Sequence, residues 1–324
     1  MKTEISKTGI SKEEISKTEI SSHGRKIVGT AAVCQVCPHH CRLMDGQYGR
    51  CGARKNENGK IICDNYGKVT ALALDPIEKK PLRHFFPGSM ILSVGSYGCN
   101  LSCPFCQNHE ISMIRPGNAY TAGCAECAGH GAAEDPEHTG WRMMRPEEIA
   151  DLAEDCRGRG NIGVAFTYNE PLAGYEFVRD TARLVHEHGM KNVLVTNGTA
   201  KLPVLEELLP YIDAMNIDLK GFTEEYYRKL GGSLETVKEF IRRAAKECHV
   251  ELTTLIVPGE NDSAEEMERE AEWIASVDPE IVLHVTRFFP RYRMTDRKAT
   301  DVGEVYRLRD AAGKYLKYVY TGNC

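Results

Sequence analysis

The sequence predicts an α/β protein, a partial (βα)6 TIM-like barrel that is preceded by a small cysteine-rich, metal-binding module. From about residue 90 onward, short apolar runs alternate with amphipathic segments of helix length, and this alternation is typical of parallel βα units. Short polar motifs follow several of these runs, where barrels of this class carry their chemistry. Most of the 13 cysteines lie in clusters rather than singly, which indicates metal binding.

Composition excludes several classes of protein. The 41 basic and 46 acidic side chains give a net charge of −5, whereas proteins that bind nucleic acid or anionic membranes through bulk charge are usually basic. No run of about 18 apolar residues is available to span a bilayer, and the N-terminal residues are too polar for a signal peptide. We therefore expect a cytoplasmic protein without nucleic-acid or membrane partners.

The chain divides into a tail, a module and a barrel. Residues 1–30 repeat isoleucine every five positions, a period that fits neither a helix face nor a strand face, so we expect a mobile tail. Residues 31–88 form the cysteine-rich module. Residues 89–324 form the barrel, and residues 115–145 within it are an insertion rich in glycine and alanine, which is a candidate lid over the barrel mouth.

The barrel elements follow from the apolar runs and from the segments between them. The predicted strands are Met90–Val94, Gly163–Thr167, Asn192–Thr196, Ala214–Leu219, Val250–Val257 and Ile281–Thr286. The predicted helices include Arg145–Arg157, Leu172–His188, Ser233–Glu247 and Ser263–Ser276. The last two begin at serine, a favoured N-cap. In the module, Lys60–Cys63 and Val69–Leu72 have the pattern of short strands.

Three cysteines directly follow the first barrel strand, in the order Cys99, Cys103 and Cys106. Three closely spaced thiolates can hold three irons of a [4Fe-4S] cube and leave the fourth iron without a protein ligand. A zinc site would usually show two separated CxxC pairs instead. The CxxxCxxC spacing therefore predicts a [4Fe-4S] cluster at the barrel mouth.

This cysteine run, with Phe105 just before its last cysteine, resembles the signature of radical S-adenosylmethionine (SAM) enzymes. The resemblance implies that the open iron binds SAM through its amino and carboxylate groups. The motifs TYNEP, TNG, DLK and LIVPG, at four successive predicted strand ends, resemble the SAM-contacting segments of that superfamily. The SAM contacts that the resemblance implies are Thr167, Asn169, Glu170, Thr196, Asn197, Asp218, Lys220 and the backbone at Ile256.

A closer resemblance is to pyruvate formate-lyase activating enzyme-like proteins and, among them, to the AmmeMemoRadiSam-system radical SAM family. The marks that carry it are Cys37–His39, Asp75–Leu82, Phe86–Ser89, Cys106–Asn108, Asp218–Gly221 and Arg287–Pro290. One departure is Val195, which stands where activating enzymes carry an aspartate for a monovalent cation beside SAM. A complete cation site is therefore not expected, although Asp218 is present.

By resemblance, the chain is an enzyme that reductively cleaves SAM to a 5′-deoxyadenosyl radical, which abstracts hydrogen from a protein or peptide substrate. No catalytic side chain beyond the cluster ligands is assigned. A one-electron donor such as ferredoxin or flavodoxin is required, and oxygen must be excluded from the radical. The alternatives are activation of a glycyl-radical enzyme proper, C-methylation assisted by cobalamin, a radical reaction on a small molecule, and a non-enzymatic zinc-binding scaffold.

A second group of cysteines, here called the N-terminal quartet, comprises Cys34, Cys37, Cys41 and Cys51. Four thiolates are enough to close a tetrahedral zinc or iron site, or to hold a second cube. We favour a closed structural site. The alternatives are a redox-active second cluster and four buried thiols that bind no metal.

Two further groups carry weaker signals. Cys124 and Cys127 in the insertion could hold a metal that fixes the lid, although a single CxxC pair is little evidence for one. Arg291, Arg293 and Arg297 could form a basic loop that faces the substrate, because loops at this end of a barrel determine specificity.

Overall fold

A computed structural model of the protein describes residues 30–116 and 140–324. Almost all of the predicted tail lies outside the described residues, as do Cys124 and Cys127 of the insertion. In the two described ranges, no helix is both long enough and apolar enough to cross a membrane.

The strands of the described residues are short near the N-terminus and longer from residue 71 onward. In chain order they are β1 (Ala32–Val33), β2 (Arg42–Leu43), β3 (Arg54–Glu57), β4 (Lys60–Cys63), β5 (Lys68–Val69), β6 (Ala71–Pro76), β7 (Met90–Gly95), β8 (Arg142–Met143), β9 (Asn161–Phe166), β10 (Lys191–Thr196), β11 (Ala214–Asp218), β12 (His249–Ile256), β13 (Val282–Arg287) and β14 (Val319–Gly322). The helices are α1 (His109–Ser112), α2 (Pro146–Asp155), α3 (Tyr175–Glu187), α4 (Leu202–Leu208), α5 (Glu224–Leu230), α6 (Leu234–Ala244), α7 (Ala264–Val277) and α8 (Val302–Ala312).

The main sheet has the strand order β14-β13-β12-β11-β10-β9-β7-β6. Neighbouring strands from β7 to β14 are parallel, and β6 runs antiparallel to β7. The six predicted barrel strands are β7 and β9 to β13, and the four predicted helices are α2, α3, α6 and α7. Ser233 and Ser263 cap α6 and α7 through their side chains, as predicted. The α/β class with a parallel central sheet is therefore confirmed.

The edge strand β6 joins the module to the barrel. The segment predicted as one strand, Val69–Leu72, is divided in the structure between β5 and β6. β6 pairs with β7 along its whole length, from Ala71 opposite Gly95 to Pro76 opposite Met90. Residues assigned to the module thus supply one strand of the main sheet.

The two faces of the sheet bury different residues. On the outer face, Met215 and Ile217 of β11 belong to the same buried cluster as Phe240 of α6. Ala214 points to the opposite face, because successive side chains of a strand alternate, and it belongs to a separate buried cluster with Leu82. The α-helices therefore cover the outer face, while the segment after β6, which begins with one turn of 3-10 helix at Ile77–Lys79, fills the inner face.

That inner segment, residues 77–84, reaches β11 and two strands on one side of it, β12 and β14. Asn216 of β11 donates from Nδ2 to the carbonyl of Pro81 (2.9 Å), and the backbone N–H of His84 donates to Oε1 of Glu251 in β12 (2.7 Å). The ring Nε2 of His84 lies 2.9 Å from the hydroxyl of Tyr320 in β14. One short segment contacts the inner face of three strands, so the sheet curves around it as a partial barrel.

Arg54 fixes the module to the barrel. Its buried guanidinium bonds both carboxylate oxygens of Glu176 on α3, at 2.6 Å each, and the carbonyl of Ala173 at 2.8 Å. Bidentate pairs of this kind are among the stronger polar contacts in proteins. The cysteine-rich module is therefore held in one orientation beside the barrel mouth.

Candidate active site

The cysteine loop, residues 96–108, follows β7 at the carboxyl end of the parallel strands. The thiol of Cys103 is buried, and Cys99 and Cys106 are partly buried. The Ser102 N–H donates to the Leu230 carbonyl (2.8 Å), and the Gly98 N–H donates to the Ile111 carbonyl (2.9 Å). These bonds hold the backbone of the loop at the barrel mouth, and its three cysteines belong to one small packed cluster with Leu101 and Phe105.

The chemistry of this donor set fits an iron–sulfur cluster, because soft thiolates are the ligands of such clusters. Burial raises the pKa of all three thiols, to about 11 for Cys103, so metal binding must displace a proton from each. The Leu101 N–H (3.4 Å) and the Asn197 amide (3.6 Å) point at Sγ of Cys99. In the described ranges, no three His, Cys, Asp or Glu side chains converge on a site for a single metal ion.

Glu170 holds the ends of β9 and β10 together. Its carboxylate accepts hydrogen bonds from the Thr196 hydroxyl (2.6 Å), the Asn197 N–H (2.8 Å) and the Leu172 N–H (3.0 Å). Burial raises the pKa of Glu170 to about 7, although these hydrogen bonds lower it. The carboxylate is thus bonded to the protein on both oxygens, and its contacts orient the backbone of Asn197.

Asn169 ties the end of β9 to the start of the cysteine loop. Its Oδ1 accepts from the Ser96 N–H (2.9 Å), and its Nδ2 donates to the Tyr97 carbonyl (3.1 Å). Thr167 is buried, and its backbone N–H donates to the carbonyl of Val94 in β7 (2.9 Å). Both residues therefore fix the position of the turn after β9 relative to the cysteines.

Asn197 and Asn100 form a buried amide pair beside the thiols. Asn197 Nδ2 donates to Asn100 Oδ1 (3.0 Å), and Asn100 Nδ2 donates to the Thr199 carbonyl (2.6 Å). The Asn100 carbonyl lies 2.9 Å from Nε2 of His39 in the module. Sequence reasoning named Asn197 but missed Asn100, although Asn100 directly follows Cys99 in the cysteine run.

Asp218 and Lys220 form an ion pair at the end of β11, with Lys220 Nζ 2.7 Å from Asp218 Oδ2. The ammonium charge of Lys220 opposes the rise that burial causes in the pKa of Cys103. At the end of β12, Ile256 packs its side chain into the outer core, and its carbonyl accepts from the Thr300 hydroxyl (2.6 Å). The structure thus brings the DLK motif close to the cysteines, while the Ile256 carbonyl is already bonded to the protein.

Tyr168 and Asn108 lie beside the cysteine loop and were not among the site residues predicted from the sequence. Tyr168 has a φ of 73°, a left-handed conformation that is uncommon for an aromatic residue and concentrates at functional sites. Asn108 Nδ2 donates to the Tyr168 carbonyl (2.7 Å), and the Tyr168 hydroxyl donates to Asp75 Oδ2 (2.8 Å). Tyr168 lies inside the TYNEP motif and Asn108 inside Cys106–Asn108. These two motifs were the sequence features that could have indicated both residues.

The three arginines of the expected basic loop differ in their contacts. Arg297 donates to the Pro258 carbonyl (2.8 Å) and pairs with Glu260 (3.3 Å), so its charge is already compensated. Arg291 and Arg293 are exposed, and the Arg293 N–H donates to the Pro104 carbonyl of the cysteine loop (2.9 Å). The loop therefore lies beside the cysteines.

The N-terminal quartet lies directly against the cysteine loop. Burial raises the pKa of Cys51 and that of Cys37, the latter to about 11. The Cys34 N–H donates to the Cys41 carbonyl (3.0 Å), which brings the first and third members together. The Cys99 N–H donates to the Cys51 carbonyl (3.1 Å). A peptide hydrogen bond therefore joins one cysteine of each group.

Comparisons with known proteins relate the chain to one superfamily. Residues 93–274 match the family model described as the Radical SAM superfamily. An uncharacterized protein of Methanocaldococcus jannaschii is 38% identical over 295 residues, which cover 90% of this chain and 80% of that protein. The pyruvate formate-lyase 1-activating enzyme of Escherichia coli strain K12 is 29% identical over 215 residues, covering 65% of this chain and 78% of the relative.

Solved structures share the fold at low sequence identity. A radical SAM methyltransferase from Sphaerobacter thermophilus has a TM-score of 0.53 at 16% identity, over 73% of this chain and 67% of that one. Streptococcus suis SuiB bound to precursor peptide SuiA has a TM-score of 0.51 at 14% identity, over 70% of this chain and 47% of that one. The family match covers more than half of the chain and includes the three cysteines, and the chain therefore belongs to the radical SAM superfamily of enzymes.

Proposed function

We propose that the chain reductively cleaves SAM at a [4Fe-4S] cluster held by Cys99, Cys103 and Cys106 and abstracts hydrogen from a protein or peptide substrate. Membership of the superfamily implies SAM and the cluster. One observation supports this site above all: the three thiols share the barrel mouth with Asn197, whose amide lies 3.6 Å from Cys99 Sγ. Two likenesses support a polypeptide substrate, the relative named as an activating enzyme of pyruvate formate-lyase and SuiB with its precursor peptide.

The roles of the chain's own residues follow from their contacts. When bound, the cluster would supply the electron that breaks the S–C5′ bond of SAM. Glu170 orients the Asn197 backbone through its N–H, and Lys220 with Asp218 provides a charged pair beside the thiols. The inner apolar cluster below the mouth excludes water, which would otherwise quench a reactive intermediate.

We further propose that ferredoxin or flavodoxin donates the electron, and that the N-terminal quartet holds a second metal, zinc or iron. Support for the second metal comes from the close spacing of the four cysteines in the sequence and from the backbone hydrogen bond that joins Cys51 to the cysteine loop. Narrower membership in the AmmeMemoRadiSam-system family is supported by the motifs of the sequence.

The experiment that tests the function is the transfer of deuterium to 5′-deoxyadenosine. Reconstituted enzyme, SAM and dithionite are mixed with a peptide digest of uniformly deuterated protein, so that any C–D bond of a peptide can react. We expect 5′-deoxyadenosine that is one mass unit heavier, and no label from a matched mixture of deuterated free amino acids. Label from the amino acids alone would favour a small-molecule substrate, and label from neither would contradict the proposal.

The product then distinguishes the alternative outcomes on a polypeptide. A lasting electron paramagnetic resonance (EPR) signal on the peptide would show activation of the glycyl-radical type. A methyl group added to the peptide only when cobalamin is supplied would show C-methylation.

Asn197→Ala should weaken SAM binding about tenfold while the iron content stays unchanged. The substitution removes an amide beside Cys99, and a hydrogen bond is worth about 1.4 kcal/mol, which corresponds to this factor. Glu170→Ala should have a similar effect because it releases the Asn197 backbone. Equilibrium dialysis with SAM measures the affinity, and Glu206→Ala on the outer surface, where Glu206 pairs with Arg243, is the control. Unchanged affinity in both site variants would remove these residues from the SAM site.

Cys34→Ala or Cys51→Ala should lower the melting temperature by about 10 °C while changing the SAM-dependent spectrum little. A structural metal contributes directly to folding, and loss of several kcal/mol shifts the melting temperature by this amount in a chain of such size. Calorimetry and metal analysis measure the effect, with Cys248→Ala as the matched change at an isolated cysteine. Normal stability together with lost turnover would instead indicate a redox cluster at the quartet.

A further inference from the structure

Arg115 lies just after α1, where the chain leaves the cysteine loop, and its guanidinium turns back between two loops. Nη1 donates to the carbonyls of Cys51 (3.3 Å), Ser112 (3.0 Å) and Ile114 (2.8 Å). Nη2 donates to the carbonyl of Cys99 (3.0 Å). A single side chain thus bonds the backbone at one cysteine of each group.

The backbones around Arg115 approach so closely that glycine is required at two points. A Cβ atom at Gly52 would lie 2.1 Å from the Ile114 carbonyl oxygen, and one at Gly98 would lie 2.6 Å from the Cys51 carbonyl oxygen. Both glycines have positive φ, +74° and +92°, which favours glycine independently. Three backbone segments therefore meet at the guanidinium, and two of them carry cysteines of different groups.

The side chain of Arg115 is half-buried, and none of its described partners is a carboxylate. Arg54, which is fully buried, differs because it is bidentate with Glu176. Burial lowers the pKa of Arg115, yet a guanidinium stays protonated in proteins. A desolvated charge without an opposite charge is costly. The thiols of Cys99 and Cys51, once ionised, would oppose that cost, whereas the nearby charge of Arg50 adds to it.

We infer that Arg115 is a positioning residue that holds the cysteine loop against the N-terminal quartet and places a fixed positive charge at the backbone of one cysteine of each group. The inference rests on the proposed function, because the thiols become thiolates when they bind metal. Nearby charge is one of the factors that set the potential of an iron–sulfur cluster. A positive charge favours the more negative, reduced state, so Arg115 should make the site easier to reduce.

Two variants separate the charge of Arg115 from its hydrogen bonds. R115K keeps the charge but loses the planar fork of donors, and R115Q keeps an amide donor but loses the charge. After reconstitution with iron and sulfide, we expect the reduced fraction at one fixed low potential, measured by EPR, to fall at least fivefold in R115Q. It should stay within twofold of wild type in R115K.

R50M is the matched control. Arg50 also joins the two cysteine groups, because its Nη2 donates to the Ser102 hydroxyl (3.1 Å), but it is exposed. We expect R50M to be reduced within twofold of wild type. Equal reduction of R115Q, R115K and wild type would overturn the electrostatic role of Arg115.

Hydrogen exchange in the metal-free protein tests the positioning role. The Cys99 amide, which donates to the Cys51 carbonyl, should exchange at least tenfold faster in both Arg115 variants, and R50M should match wild type. Unchanged exchange would overturn this role. Because the measurement uses metal-free protein, it still tests the role if R115Q takes up no iron. Wild-type protein that binds iron and cleaves no SAM would contradict the proposed function and leave the exchange result standing.

Discussion

Cys103→Ala should lower the rate of SAM cleavage by more than about a thousandfold, a rise in the barrier of about 4 kcal/mol. The reaction needs a cluster that three thiolates hold, and the substitution removes one of them. The chain should stay folded, because Cys103 belongs to a small cluster with Leu101, Phe105 and Phe288 that is separate from the main core. Loss of one small side chain there should cost about 1 kcal/mol.

Cys156→Ala is the control for this change, since Cys156 is also buried but lies at the end of α2. It should leave SAM cleavage within about twofold of wild type. Production of 5′-deoxyadenosine under dithionite gives the rate, iron analysis gives the cluster content, and calorimetry gives the stability. Cleavage at the wild-type rate in the Cys103 variant would contradict the assignment of the cluster.

The sequence predicted the inner strands of the sheet better than its edges, for a physical reason. A parallel strand with two neighbours is buried on both faces and is rich in apolar residues, as in β10, which contains Val193, Leu194 and Val195. The edge strand β14 has four residues that are all half-buried, and β6 alternates irregularly between exposed and buried positions. Edge strands face solvent along one side, so their sequences lack the apolar run that indicates a strand.

Residues of the candidate site were also predicted better where they lie next to a strand than where they lie in loops. Cys99, Glu170 and Asn197 were predicted because each follows a strand, and the carboxyl ends of parallel strands meet at one edge. Arg115 and Asn100 were missed because their contacts join distant loops: Arg115 bonds Cys51, 64 residues away, and Asn100 bonds Thr199, 99 residues away. No spacing rule within a single motif encodes contacts of that kind.

Glu251, at the other end of the barrel, was also missed because its contacts join distant parts of the chain, and its loss should strongly lower stability. Its buried carboxylate accepts from the backbone N–H groups of Arg83 (2.9 Å) and His84 (2.7 Å). The rings of His249 and His284 contact the same carboxylate at 3.0 and 2.6 Å. Four groups from three parts of the chain thus depend on one anion, which anchors the inner segment to β12.

Glu251→Gln should therefore lower the free energy of unfolding by about 3 kcal/mol at pH 7, the cost of breaking a buried charged network. Urea unfolding measures it, and Glu280→Gln, at an exposed pair with Lys317, should cost less than about 0.5 kcal/mol. SAM cleavage should persist in native Glu251→Gln protein, because the substitution lies near the start of β12 and the cysteines lie beyond the carboxyl ends of the strands.

The effect of Glu251→Gln should also depend on pH. Burial raises the pKa of Glu251, but the two histidines and the two backbone N–H groups outweigh it and lower the pKa from 4.5 to about 2. A carboxylate with a lowered folded-state pKa contributes stability that is present above its unfolded pKa and lost as pH falls through the folded one. The stability difference between wild type and Glu251→Gln should therefore be constant above pH 4.5 and shrink between pH 4.5 and 2. A difference that stays constant down to pH 2 would show that the negative charge of Glu251 does not hold the inner segment. The shape of the Glu251 side chain would then be enough to hold it.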